Sequence, residues 1–332
     1  MINDKSNHKI LEELDRVVAG HTLAKKQLIN LISRSRLRHY QKYMQLRHED
    51  YCLSPNKLLL IGGSGTGKTF LVQSLQKIVD FPLIYIDATK LNPTGASGGV
   101  NSGSLATMIR NKAEQLVKEA REYYPSVEGT IDRMVVFVDE IDKLALPFES
   151  SGNWNKHVQS NFLTIFDDKG EFAGVSFIFA GAFSDLTNRK IEIKTSIGFN
   201  HAPKEEEKAK IIDDEALIKF GLIPELIGRI NAIVQLDEFS VEDYYKILTE
   251  KLIPKKQYDM ENFHIYELGI TEDELRALCV TAQKSGQGIR SLKRELDKLF
   301  VDREFDHEDN FMLEELAADD EEDYFQNGLY TD

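Results

Sequence analysis

Gly62, Gly67, Lys68 and Thr69 stand in the spacing G-x-x-x-x-G-K-[ST], a pattern whose chemistry is the holding of phosphate. The full stretch reads Gly62-Gly63-Ser64-Gly65-Thr66-Gly67-Lys68-Thr69-Phe70. Its glycines let the chain turn with N–H groups aimed inward, and a helix starting behind them would face an anion with its N-terminus. In such a loop the lysine reaches the β- and γ-phosphates of a nucleoside triphosphate and the hydroxyl of Thr69 ligates Mg²⁺. A second pair of chemical groups lies 71 residues beyond Lys68, where Met-Val-Val-Phe-Val ends in Asp139 and Glu140. Carboxylates at the end of a buried-type strand, downstream of a phosphate loop, predict two roles. Asp139 holds Mg²⁺, generally through water, and Glu140 orients and polarises the water that attacks the γ-phosphate.

These groups need a scaffold, and the apolar runs supply one. Leu58 to Ile61 is suited to a buried parallel strand, with a helix expected over Phe70 to Ile78. Further strands are expected over Pro82–Asp87, Met134–Glu140, Val175–Ala180 and Ala232–Leu236. Leu11 to His21 reads as a lead-in to a helix over Thr22 to about Gln45, and another helix is expected over Leu105–Tyr123. Lys90–Ser104, Glu149–Gln159 and Asn188–Lys210 are polar and read as loops. From Ser240 the pattern turns helical, over Val241–Leu252, Glu272–Lys284 and Gly288–Val301, with a short β segment near Phe263–Tyr266. Ile289, Leu292, Leu296 and Leu299 share one face of the last of these helices. The expected fold class is α/β, a parallel sheet between helices of P-loop NTPase type, followed by a small, mostly helical domain. The expected boundaries are 1–236 for the nucleotide-binding domain, 237–304 for the small domain and 305–332 for an acidic tail.

Composition narrows the setting. The chain is 332 residues long and 42% hydrophobic, enough for packed cores and too much for a largely disordered chain. No apolar run has the length of a membrane span, and Met1–Lys9 lacks the apolar centre of a signal peptide. Cys52 and Cys279 are the only cysteines and have no metal-type spacing, so a reducing cytoplasm is the expected home. The net charge of −14 is uneven: residues 302–332 hold 13 acidic side chains against Arg303 alone, and the rest carries 40 basic and 42 acidic. The basic second half of the first long helix, Arg34, Arg36, Arg38, Lys42 and Arg47, fits a nucleic-acid contact, a solvated face or a subunit contact.

Taken together, the motifs resemble the AAA+ unfoldase ATPases of the ClpX/HslU type, on the ClpX side, over roughly residues 11–300. Val18-Ala19-Gly20-His21 resembles the V-I-G-Q element beside the adenine. Gly62–Thr69 resembles Walker A, Val138–Lys143 Walker B, and Ala180-Gly181-Ala182-Phe183 the G-G-A-F after the sensor strand. Phe220-Gly221-Leu222-Ile223-Pro224-Glu225 with Ile227-Gly228-Arg229 is similar to the segment ending in the arginine finger, and Gly288–Leu292 to sensor 2. The resemblance implies ATP with Mg²⁺ as cofactors and a homo-oligomer, a hexameric ring. Arg229 would reach the γ-phosphate held by a neighbouring subunit, and Arg290 would contact the nucleotide in cis. Protein substrates follow as partners, and no membrane. It also gives Ile197-Gly198-Phe199, by itself core, hinge or docking tip, the role of docking a ClpP-type peptidase.

Three departures from the family stand out. No cysteine cluster resembles its zinc-binding N-terminal domain. The pore loop reads Gly95-Ala96-Ser97-Gly98 in place of G-Y-V-G, without the gripping aromatic, and the substrate-recognition R-K-H loop has shrunk to about Asp167–Gly174. Trp154, in the stretch matching the second pore loop, either supplies that grip or packs against its own subunit. The functional expectation is an ATP-driven protein unfoldase. The alternative is a nucleotide-gated switch or scaffold that does not thread polypeptide, and a nucleic-acid motor is a third class.

Overall fold

The computed structural model describes residues 5–45, 53–91, 105–145, 154–167, 169–187, 212–261, 268–301 and 304–305. The segments Gly95–Gly98, Ile197–Phe199, Phe263–Tyr266, Arg47 and the acidic stretch from 306 lie outside them. The chain divides into two compact units, Met1–Glu238 and Phe239–Asp332.

The first unit is built on a five-stranded sheet, β1 (Lys57–Ile61), β2 (Leu83–Asp87), β3 (Val135–Asp139), β4 (Ser176–Gly181) and β5 (Ala232–Gln235), ordered β2-β3-β4-β1-β5. Every pairing is parallel. The order puts β1 between β4 and β5, so the apolar run before the phosphate loop is central and buried on both faces. Strand alternation divides the core. Leu58, Leu60, Val135, Phe137 and Ile178 face one layer, formed by α1 (Asn7–Val17), α2 (Thr22–Tyr43) and α3 (Lys68–Ile78). Leu59, Ile61, Val136, Val138, Phe177 and Phe179 face the other, which includes α4 (Leu105–Glu119) and α6 (Trp154–Phe166). The remaining helices of this unit are α5 (Val127–Asp132), α7 (Ser184–Thr187), α8 (Asp214–Phe220) and α9 (Pro224–Ile227).

Two sequence expectations are corrected here. The lead-in is largely helical: Ser6 caps α1 through Lys9 N–H, and Ile10 and Leu14, one turn apart, are buried. The polar loop expected to reach Gln159 gives way to helix at Trp154, because Val158, Phe162 and Ile165 recur at helical spacing and bury against the sheet. Polar Asn155–His157 neighbours masked that periodicity.

The second unit is helical. A continuous run comprises α10 (Val241–Ile247), a π-helical turn over Leu248–Leu252 and α11 (Ile253–Glu261), followed by α12 (Glu272–Ser285) and α13 over residues 289–301. Capping boxes start α10 at Ser240 and α12 at Thr271, and Gly286 in the left-handed region ends α12. On α13, Leu292 and Leu296 are buried as expected, but Phe300 and not Leu299 completes the apolar face. Leu299 is solvent-exposed, and Lys256 lies over the Phe300 ring while pairing with Glu304 at 2.5 Å.

Candidate functional site

The phosphate loop leaves β1 directly: Gly62 N–H donates to the Gly181 carbonyl of β4 at 3.2 Å. A side chain at Gly62 would fall 2.9 Å from Thr66 Oγ1 and 3.0 Å from Leu236 Cβ, so close approach demands the glycine there. At Gly67 the demand is conformational, since space is open but φ is +86°. Gly67 is the residue from which α3 starts. Lys68 lies folded along the loop, its Nζ donating to the carbonyls of Gly62 at 2.6 Å and Gly63 at 3.0 Å.

Parallel pairing brings the end of β3 beside this loop. Thr69 Oγ1 donates to Asp139 Oδ2 at 2.6 Å, and Asp139 Oδ1 accepts from the Glu140 N–H at 3.0 Å. A hydroxyl and a carboxylate in contact form a hard oxygen pair of the kind that suits Mg²⁺ beside phosphate. Glu140 is exposed and left-handed at φ 57°, a conformation that costs a non-glycine residue on the order of 1–3 kcal/mol. From this residue a 3₁₀ turn starts over Ile141–Leu144.

The Val18–His21 element is tied to the same loop. His21, buried at 2% exposure and left-handed at φ 57°, donates from Nε2 to the Thr66 carbonyl at 2.9 Å. The carbonyl can only accept, which places the proton on Nε2. Lys25, equally buried, clamps the element through the Val18 carbonyl at 2.5 Å and Asp15 at 2.6 Å.

Arg229 sits elsewhere. Its guanidinium pairs with Asp167, just beyond α6, and both side chains are about half exposed. Lys57, at the opposite end of β1 from the phosphate loop, is close by: its Nζ lies 4.8 Å from the centre of the Phe166 ring. Burial lowers the Lys57 pKa, Arg229 lowers it further and Asp167 partly offsets this. Arg290 is exposed on α13 in the second unit.

Residues 58–197 match the ATPase family associated with various cellular activities (AAA). The chain carries an AAA-family ATPase domain. It is 29% identical over 336 aligned positions to the ATP-dependent Clp protease ATP-binding subunit ClpX of Treponema denticola, covering 90% of this chain and 76% of that relative. Among the described residues no helix is long and apolar enough to cross a membrane.

In the first unit the structure gathers Gly62–Phe70, Asp139 and Glu140 with His21 and Val18 at one end of the sheet, and sets Arg229 at the other. Sequence reasoning missed Lys25, whose partners Asp15 and Val18 are close in the chain, and Asp167 and Gln159, whose partners at 229, 221 and 223 are far along it. It also left open the basic half of α2, much of which turns inward. Arg38 pairs with the buried Asp132, which also meets His39 at 3.1 Å and Lys42 at 3.7 Å, and Arg36 donates to the Asp80 carbonyl at 3.1 Å. Asp132 thus offsets part of the positive charge of this half of α2.

Proposed function

We propose that this chain is a protein-remodelling ATPase, an unfoldase subunit that works in a cytoplasmic hexameric ring. The loop Gly62–Phe70 and Lys68 hold the triphosphate of ATP, and Val18 borders its base. Thr69 and Asp139 would hold Mg²⁺, which would supply positive charge against the phosphate oxygens. Glu140 accepts a proton from the water that attacks the γ-phosphorus in line. The bond from the γ-phosphorus to the bridging oxygen breaks and ADP departs. Arg229 of the neighbouring protomer meets the charge that develops on the γ-phosphate oxygens, and Arg290 contacts the nucleotide in cis.

The observation that carries this reading is the 2.6 Å bond between Thr69 and Asp139, which brings together the two oxygen ligands that the two motifs would offer one metal ion. The place of Arg229 supports action in trans. β1 is five residues long, so the two ends stand about 13 Å apart at about 3.3 Å per residue. Ile197–Phe199 would dock a ClpP-type peptidase, and Gly95–Gly98 would border the pore.

A second reading, a nucleotide-gated switch that does not thread polypeptide, is favoured by Ala96, whose methyl group offers a translocating chain little to grip. One experiment separates them: ATP-dependent unfolding of a tagged fluorescent protein, with and without a ClpP-type peptidase. Loss of fluorescence with wild-type protein and none with Glu140→Gln supports threading. Hydrolysis without loss of fluorescence supports the switch. Absence of hydrolysis, with Lys68→Ala indistinguishable from wild type, would overturn both.

A further inference from the structure

Gln159 is fully buried near the middle of α6, and its amide ties together two segments that the chemistry keeps apart. Its Nε2 donates to the Leu144 carbonyl at 3.0 Å, at the end of the 3₁₀ turn that Glu140 begins, and to the Gly221 carbonyl at 3.3 Å. Its Oε1 accepts from the N–H of Ile223 at 2.8 Å, immediately before Pro224 opens α9, a helix that ends at Ile227, just before Arg229. Both carbonyls can only accept and the N–H can only donate, so one amide orientation alone satisfies all three.

The same two segments also touch through their backbones. Gly221 has φ +124°, and a Cβ there would fall 1.8 Å from the Ala145 carbonyl oxygen. The segment that presents Arg229 is thus laid directly on the turn that follows Glu140, with Gln159 pinning both. A glutamine placed in this apolar layer is held by partners on both sides, and none of its three bonds stays within α6.

We infer that Gln159 is the positioning residue for Arg229, a strut that sets the guanidinium a protomer offers its neighbour according to the Glu140 turn of its own site. The inference rests on the reading that Arg229 acts in trans. By this route the state of one nucleotide site reaches the next without the two sites touching. The Leu144 carbonyl reports the Walker B turn, the glutamine amide carries its position, and Ile223 and α9 deliver it to Arg229.

The test uses full-length protein and subunit mixing, read as ATP turnover. Gln159→Met keeps the volume and removes the bonds; Gln159→Glu keeps an acceptor for Ile223 and loses the donors, and serves if the first variant fails to assemble. Either variant should lower kcat by about tenfold or more with ATP affinity changed less than about twofold. Combined with Arg229→Ala it should add less than about twofold, since both changes remove one interaction. A general packing defect would multiply the two losses, and that result overturns the inference.

Mixing then assigns the side of the interface. Glu140→Gln subunits retain a sound arginine and should restore turnover to Gln159→Met subunits. Arg229→Ala subunits retain a sound site and should not. The reverse pattern would place the defect in the protomer's own site and sink the proposal. The mixture of Glu140→Gln with Arg229→Ala is the control, and it should regain activity. If it does not, the trans reading itself falls, and the inference with it.

Discussion

The two ends of β1 make opposite use of charge. At the Ile61 end, Gly62, Thr66, Lys68, Thr69 and Asp139 are tied by short bonds in a partly buried setting. At the Lys57 end, Arg229 is held by one carboxylate, Asp167, with both partners half exposed. Exposed pairs of this kind contribute about 0–1 kcal/mol. The first arrangement gathers the groups that would meet phosphate before it arrives, with Lys68 held on the loop's own carbonyls. The second parks a guanidinium cheaply, which suits the role in a neighbouring protomer proposed for Arg229.

The largest effect should come from removing that guanidinium. Arg229→Ala is expected to lower kcat on the order of 10³-fold, the scale typical of arginine fingers, while ATP binding to each protomer stays near wild type. Steady-state hydrolysis alongside titration with a fluorescent nucleotide reads both quantities. A parallel loss of affinity would mean that Arg229 serves its own site, and the contrast between the two ends would collapse.

The Ile61 end was legible in the sequence because its chemistry is local. Glycine spacing implies the turn, the apolar run implies the strand, and a carboxylate ending a second apolar run implies the partner for Thr69. The parallel sheet followed from the same runs. The Lys57 end was legible only as far as Arg229 itself. Asp167 and Gln159 carry no motif, since an acidic residue after a helix and a glutamine within one are ordinary until the fold brings residues 144, 221, 223 and 229 to them. The helix α1 was missed for a related reason: Ile10 and Leu14 stand among charged neighbours, and only docking onto α2 and α3 shows which face they serve.

A third carboxylate sharpens the comparison, because it lies just before β3 and is buried. Asp132 is 8% exposed and meets Arg38, His39 and Lys42. Burial alone would raise its pKa, but the His39 bond and the Arg38 guanidinium hold it at about 2, against 3.8 for a free side chain. A carboxyl whose folded pKa is depressed stabilises the fold above its unfolded value. That contribution is lost as pH falls from about 4 through about 2, and the shift corresponds to about 2 kcal/mol. Asp132→Asn leaves buried Arg38 without its charge partner and should cost about 3 kcal/mol at neutral pH. Denaturant unfolding at pH 7 and pH 3 checks both statements: the gap between wild type and variant should narrow at the lower pH. A constant gap would show that packing around Gly174, where a Cβ would lie 2.4 Å from Asp132 Oδ1, outweighs charge.

The smallest effect belongs to the pair that parks Arg229. Asp167→Asn removes the carboxylate and leaves Lys57 and Arg229 facing each other uncompensated, which lowers the Lys57 pKa further and pushes the guanidinium outward. Freed from its cis partner, Arg229 should engage a neighbour more readily. The protein concentration giving half-maximal hydrolysis should then fall by up to about fivefold, the equivalent of about 1 kcal/mol. Salt at about 0.5 M should shrink the difference between variant and wild type, since it screens the exposed pair in the wild type. In the Arg229→Ala background the substitution should change nothing. A fall in kcat with no change in concentration dependence would instead make Asp167 a support that aims the guanidinium, and the Lys57 end would then be as preorganised as the Ile61 end.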